Sequence, residues 1–248
     1  MIFKAFWERS LIALNGNLKK RLGVGFVRAG GEFEVARSTV LNGSSCEVVI
    51  DGGANSGQWT LRLRKSFPSI VVWSFEPLSG PFKQLEKNSK YDINWVVRNE
   101  GLGESEEIVL MHVSSNDAMS SSSKQPTSHL TEFGTVSFNT SEKTRSVRLD
   151  SITELQNKLI YLKLDVQGSE WDAIMGSTGL KESIVAIEVE TSFTSMYEGD
   201  QTHYEIIPKI IDLGFIPFSI SPPHRHADGR CTYMDVILVN PKLISVNF

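Results

Sequence analysis

Short apolar runs alternate with amphipathic segments along most of this chain. Because the runs are brief and rich in β-branched residues, they predict strands that are buried on both faces of a sheet. The predicted strands are 48–50, 70–75, 93–97, 159–164 and 184–189, and the segments with helical spacing of apolar residues are 59–67, 80–89, 151–157, 170–175 and 203–213. This alternation predicts a parallel sheet with helices on both faces.

Two further apolar runs, 215–220 and 232–239, end the pattern, and only a polar loop separates them. Since no helix carries the chain across, the last strand is expected to pair antiparallel with its predecessor. The predicted fold class is therefore α/β: a doubly wound, Rossmann-like sheet of seven mostly parallel strands with an antiparallel last strand.

The alternation is interrupted between about residues 104 and 149. Strand-like pieces at 107–113, 133–138 and 144–149 flank a serine-rich segment, 114–125, and predict a polar insertion with hairpin character. Loops at the carboxyl ends of parallel strands often cover a ligand; a surface loop without function is the alternative.

The predicted domain organisation has two parts. We expect an N-terminal helical extension at 1–45, in which 33–41 is a candidate helix, and a main domain at 46–248 that contains the polar insertion.

One stretch, VVIDGGANSGQWT at residues 48–60, carries the candidate chemistry. A strand ends at Asp51, a turn with three glycines follows, and an amphipathic helix begins. This arrangement brings backbone N–H groups close to a nucleotide-like ligand, although a plain βα turn is the structural alternative. Glu76 ends the second strand about 20 residues later, where a carboxylate accepts from ribose hydroxyls. The pair predicts a site for a nucleoside-containing cofactor.

The turn favours one class of nucleoside cofactor. It lacks the G-x-G-x-x-G spacing of dinucleotide sites, and the acidic residue at its start, Asp51, is poorly suited to a pyrophosphate. The same carboxylate suits S-adenosylmethionine, which carries an ammonium and a sulfonium. An antiparallel seventh strand is also the layout of S-adenosylmethionine-dependent methyltransferases, whereas NAD-binding domains usually close with a parallel sixth strand. We therefore expect a methyl donor rather than NAD.

Composition narrows the class of partner. The 248 residues carry a formal net charge of −4, so nucleic acid is not expected as a main partner. The two cysteines lack metal-type spacing and fit a reducing compartment, so a cytoplasmic protein is expected. No apolar run approaches the ~20 residues of a membrane span. The basic, amphipathic residues 1–28 could contact a membrane surface, but packing on the domain or on a second subunit is favoured.

In its motifs the chain resembles the FkbM-type methyltransferases. VVIDGGANSGQWT is similar to the family's D-x-G-A-N-x-G motif, WSFEP to its second-strand motif, IEVE to its fifth-strand end, and VRLDSI with YLKLDVQGSEWDAIMG to its L-D and K-x-D-x-E-G-x-E blocks. The resemblance spans about residues 48–190. It implies S-adenosylmethionine as donor and an oxygen, often a sugar hydroxyl, as acceptor. Gln167 and Ser169 depart from it, since relatives usually have Glu and often His at these positions.

The candidate donor-binding residues come from the turn, from strand ends and from the resemblance. The donor loop is expected to contain Asp51, Gly53, Asn55 and Gly57, with Glu76 on the ribose. Asn99, just past the third strand, is expected either at the adenine or as a turn residue. The resemblance places Asn116 and Asp117 near the ligand, together with Ser121 and Ser122.

Asp165 is the strongest candidate for a catalytic residue. It ends the fourth strand, at the edge where open α/β sheets bind ligands. A carboxylate there can accept the proton of a hydroxyl under methylation. Glu188 and Glu190 alternate at the end of the fifth strand, and the one that faces the cleft, for which we take Glu190, is expected to join Asp165. Glu170 is either catalytic or a cap for its helix.

The residue types leave alternatives open. Asp165 and Glu190 are able to hold a divalent cation through oxygen ligands, but we do not favour this and predict no metal site. The loop His224-Arg225-His226 is more typical of a solvated loop than of a metal or anion site. The predicted function is an O-methyltransferase acting on a hydroxyl of a saccharide or small natural product. A non-catalytic S-adenosylmethionine- or nucleotide-binding module is the alternative, and an NAD-dependent oxidoreductase is less favoured.

Overall fold

Two β-sheets and five α-helices make up the described part of the chain. The computed structural model describes residues 31–116, 118–127 and 136–245. The strands are β1 Val48–Gly52, β2 Val71–Phe75, β3 Trp95–Arg98, β4 Gly101–Leu102, β5 Glu107–Val113, β6 Thr140–Val147, β7 Ile160–Leu164, β8 Ile184–Ser192, β9 Ile216–Ile220 and β10 Tyr233–Val239. The helices are α1 Glu32–Gly43, α2 Gln58–Leu63, α3 Ser79–Ser89, α4 Glu170–Met175 and α5 His203–Asp212.

The larger sheet has seven strands in the order β3-β2-β1-β7-β8-β10-β9. The strands from β3 to β8 pair in parallel, and β10 runs antiparallel between β8 and β9. The predicted fold class, with its antiparallel last strand, is confirmed. The strand order reverses between β1 and β7, and open α/β sheets bind ligands beyond the carboxyl ends of their strands at such a point.

Apolar side chains fill both faces of this sheet. Every residue of β1 and β7 is buried. Successive side chains of a strand point to opposite faces, so Ile50 and Leu162 join one core cluster while Val49 and Tyr161 join the other. This two-sided burial explains why the strands are continuous apolar runs in the sequence.

Helix α1 confirms the candidate helix at 33–41 and belongs to the core. It buries Phe33, Val40 and Leu41 in the same cluster as Val49. The rest of the predicted extension, residues 1–30, lies outside the described residues, so the domain boundary at 45 stays a prediction. None of the helices in the described ranges is long and apolar enough to cross a membrane.

The polar insertion forms a separate three-stranded sheet in the order β4-β6-β5. β5 and β6 pair antiparallel, as the predicted hairpin character requires. The predicted strand piece at 144–149 lies mostly within β6, which begins earlier and runs from 140 to 147. Of the other predicted piece, 133–138, residues 133–135 lie outside the described residues, and for 136–138 the prediction was wrong, because they have no regular structure. Polar residues at the start of β6 continue the ladder with β5, since backbone hydrogen bonding needs no apolar side chain.

The predicted helix at 151–157 was also wrong. This segment forms two 3-10 turns, Leu149–Ser151 and Thr153–Leu155, because the backbone of Ile152 between them is extended, with φ −83° and ψ 109°. The Asp150 carboxylate accepts from the backbone of another 3-10 turn, so tertiary contacts override the local helix propensity.

The end of one strand and the end of one helix differ from the predicted bounds. β8 continues past 189 to Ser192, which places Glu190 inside the strand and opposite Asp235 of β10. α2 ends at Leu63 rather than at residue 67.

Candidate functional site

A cleft of about 1000 Å³ lies at the carboxyl ends of β1, β2, β7 and β8. The glycine turn after β1 forms one part of its wall, with Gly53, Ala54 and Asn55. Carboxylates of the central strands and their loops form another part, with Asp165 and Glu190. The cleft is therefore at the point where the strand order of the sheet reverses, as expected for a ligand site.

The glycine turn packs directly against the segment that follows β7. Gly53 has φ +71°, and a Cβ atom at this position would lie 1.8 Å from the carbonyl oxygen of Asp165. Only glycine fits both this backbone angle and this approach. Gly57, with φ +88°, does not line the cleft; a Cβ there would lie 2.7 Å from the ring of Trp95. Gly53 thus allows the close contact at the cleft wall, and Gly57 allows the close packing of the turn against Trp95.

Asp51 lies behind the cleft wall rather than on it. It is fully buried. Its Oδ1 atom accepts from Lys163 Nζ at 2.9 Å, and its Oδ2 atom accepts from the hydroxyls of Thr60 and Ser74 at 2.8 and 3.4 Å. Because this carboxylate is fully buried and is not among the residues that line the cleft, its observed contacts hold Lys163 and the turn, and its predicted contact with the donor stays a prediction.

Lys163 is the cleft residue that Asp51 holds. Its neighbours in register are Asp51 on β1 and Glu188 on β8. Burial opposes the charged ammonium, but the carboxylates of Asp51 and Asp165 outweigh burial and raise the pKa of Lys163. A buried positive charge therefore lies beneath the centre of the cleft.

Glu76 fastens the glycine turn to the end of β2. Its carboxylate accepts from the backbone N–H groups of Asn55 at 2.8 Å and Leu78 at 2.9 Å. Burial raises its pKa to about 7. Glu76 lines the cleft beside the glycine turn, and its predicted contact with the ribose of the donor stays a prediction.

Asn99 lies close to Glu76 but is not among the residues that line the cleft. Its side-chain amide donates to the carbonyl oxygens of Glu76 and Pro77, both at 2.9 Å. These contacts match the turn role that was one of its two predicted roles. Gly101 and Gly103, which the sequence reasoning did not single out, line the cleft nearby.

A hydrogen-bonded group lies where β7 and β8 end. The side-chain amide of Gln167 donates to Asp165 Oδ1 at 2.8 Å and to Glu190 Oε1 at 3.1 Å. The hydroxyl of Tyr197 donates to Gln167 Oε1 at 2.9 Å. The structure thus brings the two predicted carboxylates together, and it does so through a residue that the sequence indicated only as a departure from the family motif.

Burial and neighbouring negative charges raise the pKa of two carboxyl groups at this end of the sheet. Burial, together with the neighbouring charges of Asp165 and Asp235, raises the pKa of Glu190 well above its ordinary value. Burial, with Glu188 and Asp165, raises the pKa of Asp235 to about 6. Asp235 was missed by the sequence reasoning, because only the pairing of β10 with β8 brings it opposite Glu190.

Glu170 holds the loop between β7 and α4. Its carboxylate accepts from the backbone N–H groups of Val166 at 2.9 Å and Gly168 at 3.0 Å. Burial raises its pKa to about 7. Both N–H groups belong to the loop before α4, and no side-chain hydrogen bond caps the N-terminus of this helix, so the observed contacts make Glu170 a support for the loop, and its predicted catalytic role stays a prediction.

The serine-rich segment lies along the cleft and is tied to the loop after β7. The Ser122 hydroxyl donates to the Gln167 carbonyl oxygen at 2.6 Å, and the hydroxyls of Ser123 and Ser169 lie 3.1 Å apart. Asn116 and Ser121 are among the cleft residues. Asp117 lies outside the described residues, so its predicted ligand contact stays a prediction.

Helix α1 closes another part of the cleft through Arg37. The guanidinium donates to both carboxylate oxygens of Glu188, each at 2.6 Å, and Tyr161 donates to the same carboxylate at 2.5 Å. Trp59 and Arg37 are also in contact, with the guanidinium 5.2 Å from the ring centre. No local signal marks this pair, since Arg37 and Glu188 are 151 residues apart.

The His224-Arg225-His226 loop makes contacts within itself and with β10. The rings of His224 and Tyr233 stack, with 4.6 Å between their centres. His226 lies 3.1 Å from Asp228. Within residues 31–116, 118–127 and 136–245, no group of three or more His, Cys, Asp or Glu side chains has an arrangement that could hold a metal ion.

Comparisons with known proteins bear on the function of this cleft. The profile of the Methyltransferase FkbM domain matches residues 51–217, more than half of the chain. No curated protein matches the sequence.

Similar solved structures include an rRNA methylase from Streptococcus thermophilus, with 10% identity and a TM-score of 0.46 over 88% of this chain and 99% of that chain. They also include M. capricolum TrmK in complex with S-adenosyl-homocysteine, with 9% identity and a TM-score of 0.44 over 86% of this chain and 71% of that chain. Because these similarities are distant, the assignment rests on the family profile.

Proposed function

Because the chain belongs to the FkbM methyltransferase family, we propose that it transfers a methyl group from S-adenosylmethionine to a hydroxyl of a saccharide or small natural product. Asp165 is the proposed base. The observation that carries the proposal is the contact between the glycine turn and the backbone of Asp165, since a Cβ on Gly53 would lie 1.8 Å from the Asp165 carbonyl oxygen. The donor loop and the candidate base are therefore immediate neighbours.

The chemistry of the cleft wall fits this donor. When bound, S-adenosylmethionine supplies a methyl group attached to a positively charged sulfur. Asp165, Glu190 and Asp235 line the cleft, and carboxylates complement a sulfonium and an ammonium better than they do a pyrophosphate. The cleft volume of about 1000 Å³ is at the upper end of ordinary ligand pockets, roughly 300–1,000 Å³, and leaves room for an acceptor beside the donor.

The proposed role of the protein is alignment and proton removal. Methyl transfer is an in-line displacement, so the acceptor oxygen forms a bond to the methyl carbon as the carbon–sulfur bond breaks. Holding the two reactants in this geometry is the main contribution available to the protein. Asp165 accepts the hydroxyl proton, because a sugar hydroxyl is a poor nucleophile while it keeps that proton.

The test combines binding with turnover. Calorimetric titration with S-adenosylmethionine and, separately, with NAD should show binding of the methyl donor alone. Formation of S-adenosyl-homocysteine in the presence of neutral sugars and small alcohols then screens for the acceptor class. With an active acceptor, Asp165→Asn is expected to lower kcat by about 10²–10⁴-fold, which is the usual contribution of a general base, while donor binding is kept.

Asp212→Asn is the matched control, since Asp212 ends α5, is exposed and does not line the cleft. Full turnover by Asp165→Asn would eliminate Asp165 as the base. A folded protein that binds NAD, or that binds neither ligand, would contradict the proposed donor.

A further inference from the structure

Gln167 occupies an unusual place in the cleft. It is the second residue after Asp165 and has a left-handed backbone, with φ +52°, followed by Gly168 at φ +95°. This backbone turns the Gln167 side chain back toward the ends of β7 and β8. Since a non-glycine residue with positive φ is uncommon, the surrounding contacts must hold it there.

Contacts from three other elements hold Gln167: the serine-rich segment, the loop after β8, and β8 itself. The Ser122 hydroxyl of the serine-rich segment donates to its carbonyl oxygen at 2.6 Å. The Tyr197 hydroxyl, from the loop after β8, donates to its side-chain oxygen at 2.9 Å. The side-chain amide is therefore oriented with its nitrogen toward the carboxylates of Asp165, at 2.8 Å, and Glu190, at 3.1 Å.

The amide group matches the chemistry of this position. An ionised carboxylate is an acceptor only, whereas an amide nitrogen offers two N–H donors. One N–H group is thus available for each carboxyl group, and the two are held near each other without a third ionisable group between them. A glutamate at 167 has nearly the same shape but would place another carboxylate between them.

We propose that Gln167 is a positioning residue for the reaction, and that its neutral amide orients Asp165 toward the acceptor by holding it together with Glu190. The inference rests on the proposed role of Asp165 as the base. It adds a requirement for an amide, rather than an acid of the same size, at position 167.

Charged and titratable groups of every neighbouring element line the same cleft as Gln167 or pair with a group that does, and most of them are acids. They are Asp165 and Lys163 of β7 and its end, Glu170 and Asp172 of α4, Glu190 of β8, Tyr197 and Asp200 of the following loop, Tyr233 and Asp235 of β10, and Lys124 of the serine-rich segment. With Lys163 already paired with Asp51, an added carboxylate at 167 has mainly acidic neighbours and no unpaired cation of β7 beside it. Carboxyl groups that lie close together favour a state in which one of them keeps its proton.

The test compares Gln167→Glu and Gln167→Asn with the wild type in kcat, KM and their pH dependence. Gln167→Glu is expected to move the acidic limb of the kcat profile to higher pH by about one pH unit or more, because the added carboxylate makes Asp165 harder to deprotonate. Gln167→Asn keeps an amide and tolerates the left-handed backbone, but it is one methylene shorter. It is expected to lower kcat by about 10–100-fold through misplacement of the base and to leave the pH profile unchanged. Donor binding is expected to stay within about twofold in both variants.

Gln84→Glu provides the matched control, since Gln84 is exposed on α3. This substitution makes the same change of charge away from the cleft. The inference would be overturned if both Gln167 variants had the same kcat and the same pH dependence as the wild type. If Asp165→Asn were inactive in the same assay, the proposed role of Asp165 as the base would still hold. Full activity of Asp165→Asn would instead remove the base itself, and the positioning role with it.

Discussion

Lys163 and Asp51 form an ion pair directly behind the glycine turn, and removing it tests how the cleft is held together. Lys163 Nζ lies 2.9 Å from Asp51 Oδ1 and 3.1 Å from the carbonyl oxygen of Gly52. The two side chains are 7% and 0% exposed. Water therefore cannot reach this site to hydrogen-bond with Asp51 or Lys163 after its partner has been substituted.

The expected cost follows from this burial. Lys163→Met removes the cation and leaves the Asp51 carboxylate with only the hydroxyls of Thr60 and Ser74. Breaking a buried ion pair by removing one partner costs about 3–5 kcal/mol, which is a large part of the roughly 5–15 kcal/mol that stabilises a domain. In the double variant Lys163→Met/Asp51→Asn no charge is left unpaired, so most of this loss should be recovered.

Urea unfolding followed by tryptophan fluorescence and circular dichroism measures these free energies. Lys158 and Glu47 supply the matched control, because their atoms also lie 2.9 Å apart but their side chains are 45% and 43% exposed. Lys158→Met should leave the free energy of unfolding essentially unchanged, since solvent screens exposed pairs. The reasoning is refuted if Lys163→Met costs no more than Lys158→Met, or if the double variant is no more stable than Lys163→Met.

Two further predictions concern the donor loop. Gly53→Ala should abolish S-adenosylmethionine binding in calorimetry, because its Cβ would lie 1.8 Å from the Asp165 carbonyl oxygen at φ +71°. Gly80→Ala should bind as the wild type does, because outside its chain neighbours and its own helix backbone no atom would lie within 4 Å of the added Cβ. Normal binding by Gly53→Ala would contradict the tight contact. Burial raises the pKa of Glu76 from its ordinary value of 4.5 to about 7, so between these values the folded state keeps a proton that the unfolded state has lost. The free energy of unfolding should therefore fall as the pH rises from 4.5 to 7, by up to about 3 kcal/mol from this group. Urea titrations should show a shallower fall for Glu76→Gln, and an equal fall in both proteins would count against the raised pKa.

The local sequence was sufficient to predict the strands of the main sheet and the turn after β1. Buried parallel strands need apolar, β-branched runs whatever their partners are, so 48–50 and 184–189 were recognisable alone. The turn at Gly53 needs residues that tolerate positive φ, and this requirement acts on the residue itself. The same local reasoning failed at 151–157, where an extended residue and a carboxylate held by a distant turn break the helix.

Tertiary structure alone decided what each polar side chain of the site contacts. Asp51 was recognisable in the sequence as a candidate donor ligand, but only the fold shows that its carboxylate is buried and accepts from Lys163, 112 positions away. Asp235 acquires a role only because β10 pairs with β8 and brings it opposite Glu190.

Gln167 shows the same division between sequence and structure. Its identity was visible in the sequence as a departure from the family motif, but its function as a bridge depends on the ends of two strands and on Tyr197. Strand order, register and burial determine the partners and the effective charge of such groups. These properties arise from residues far apart in the chain, so no local pattern of the sequence contains them.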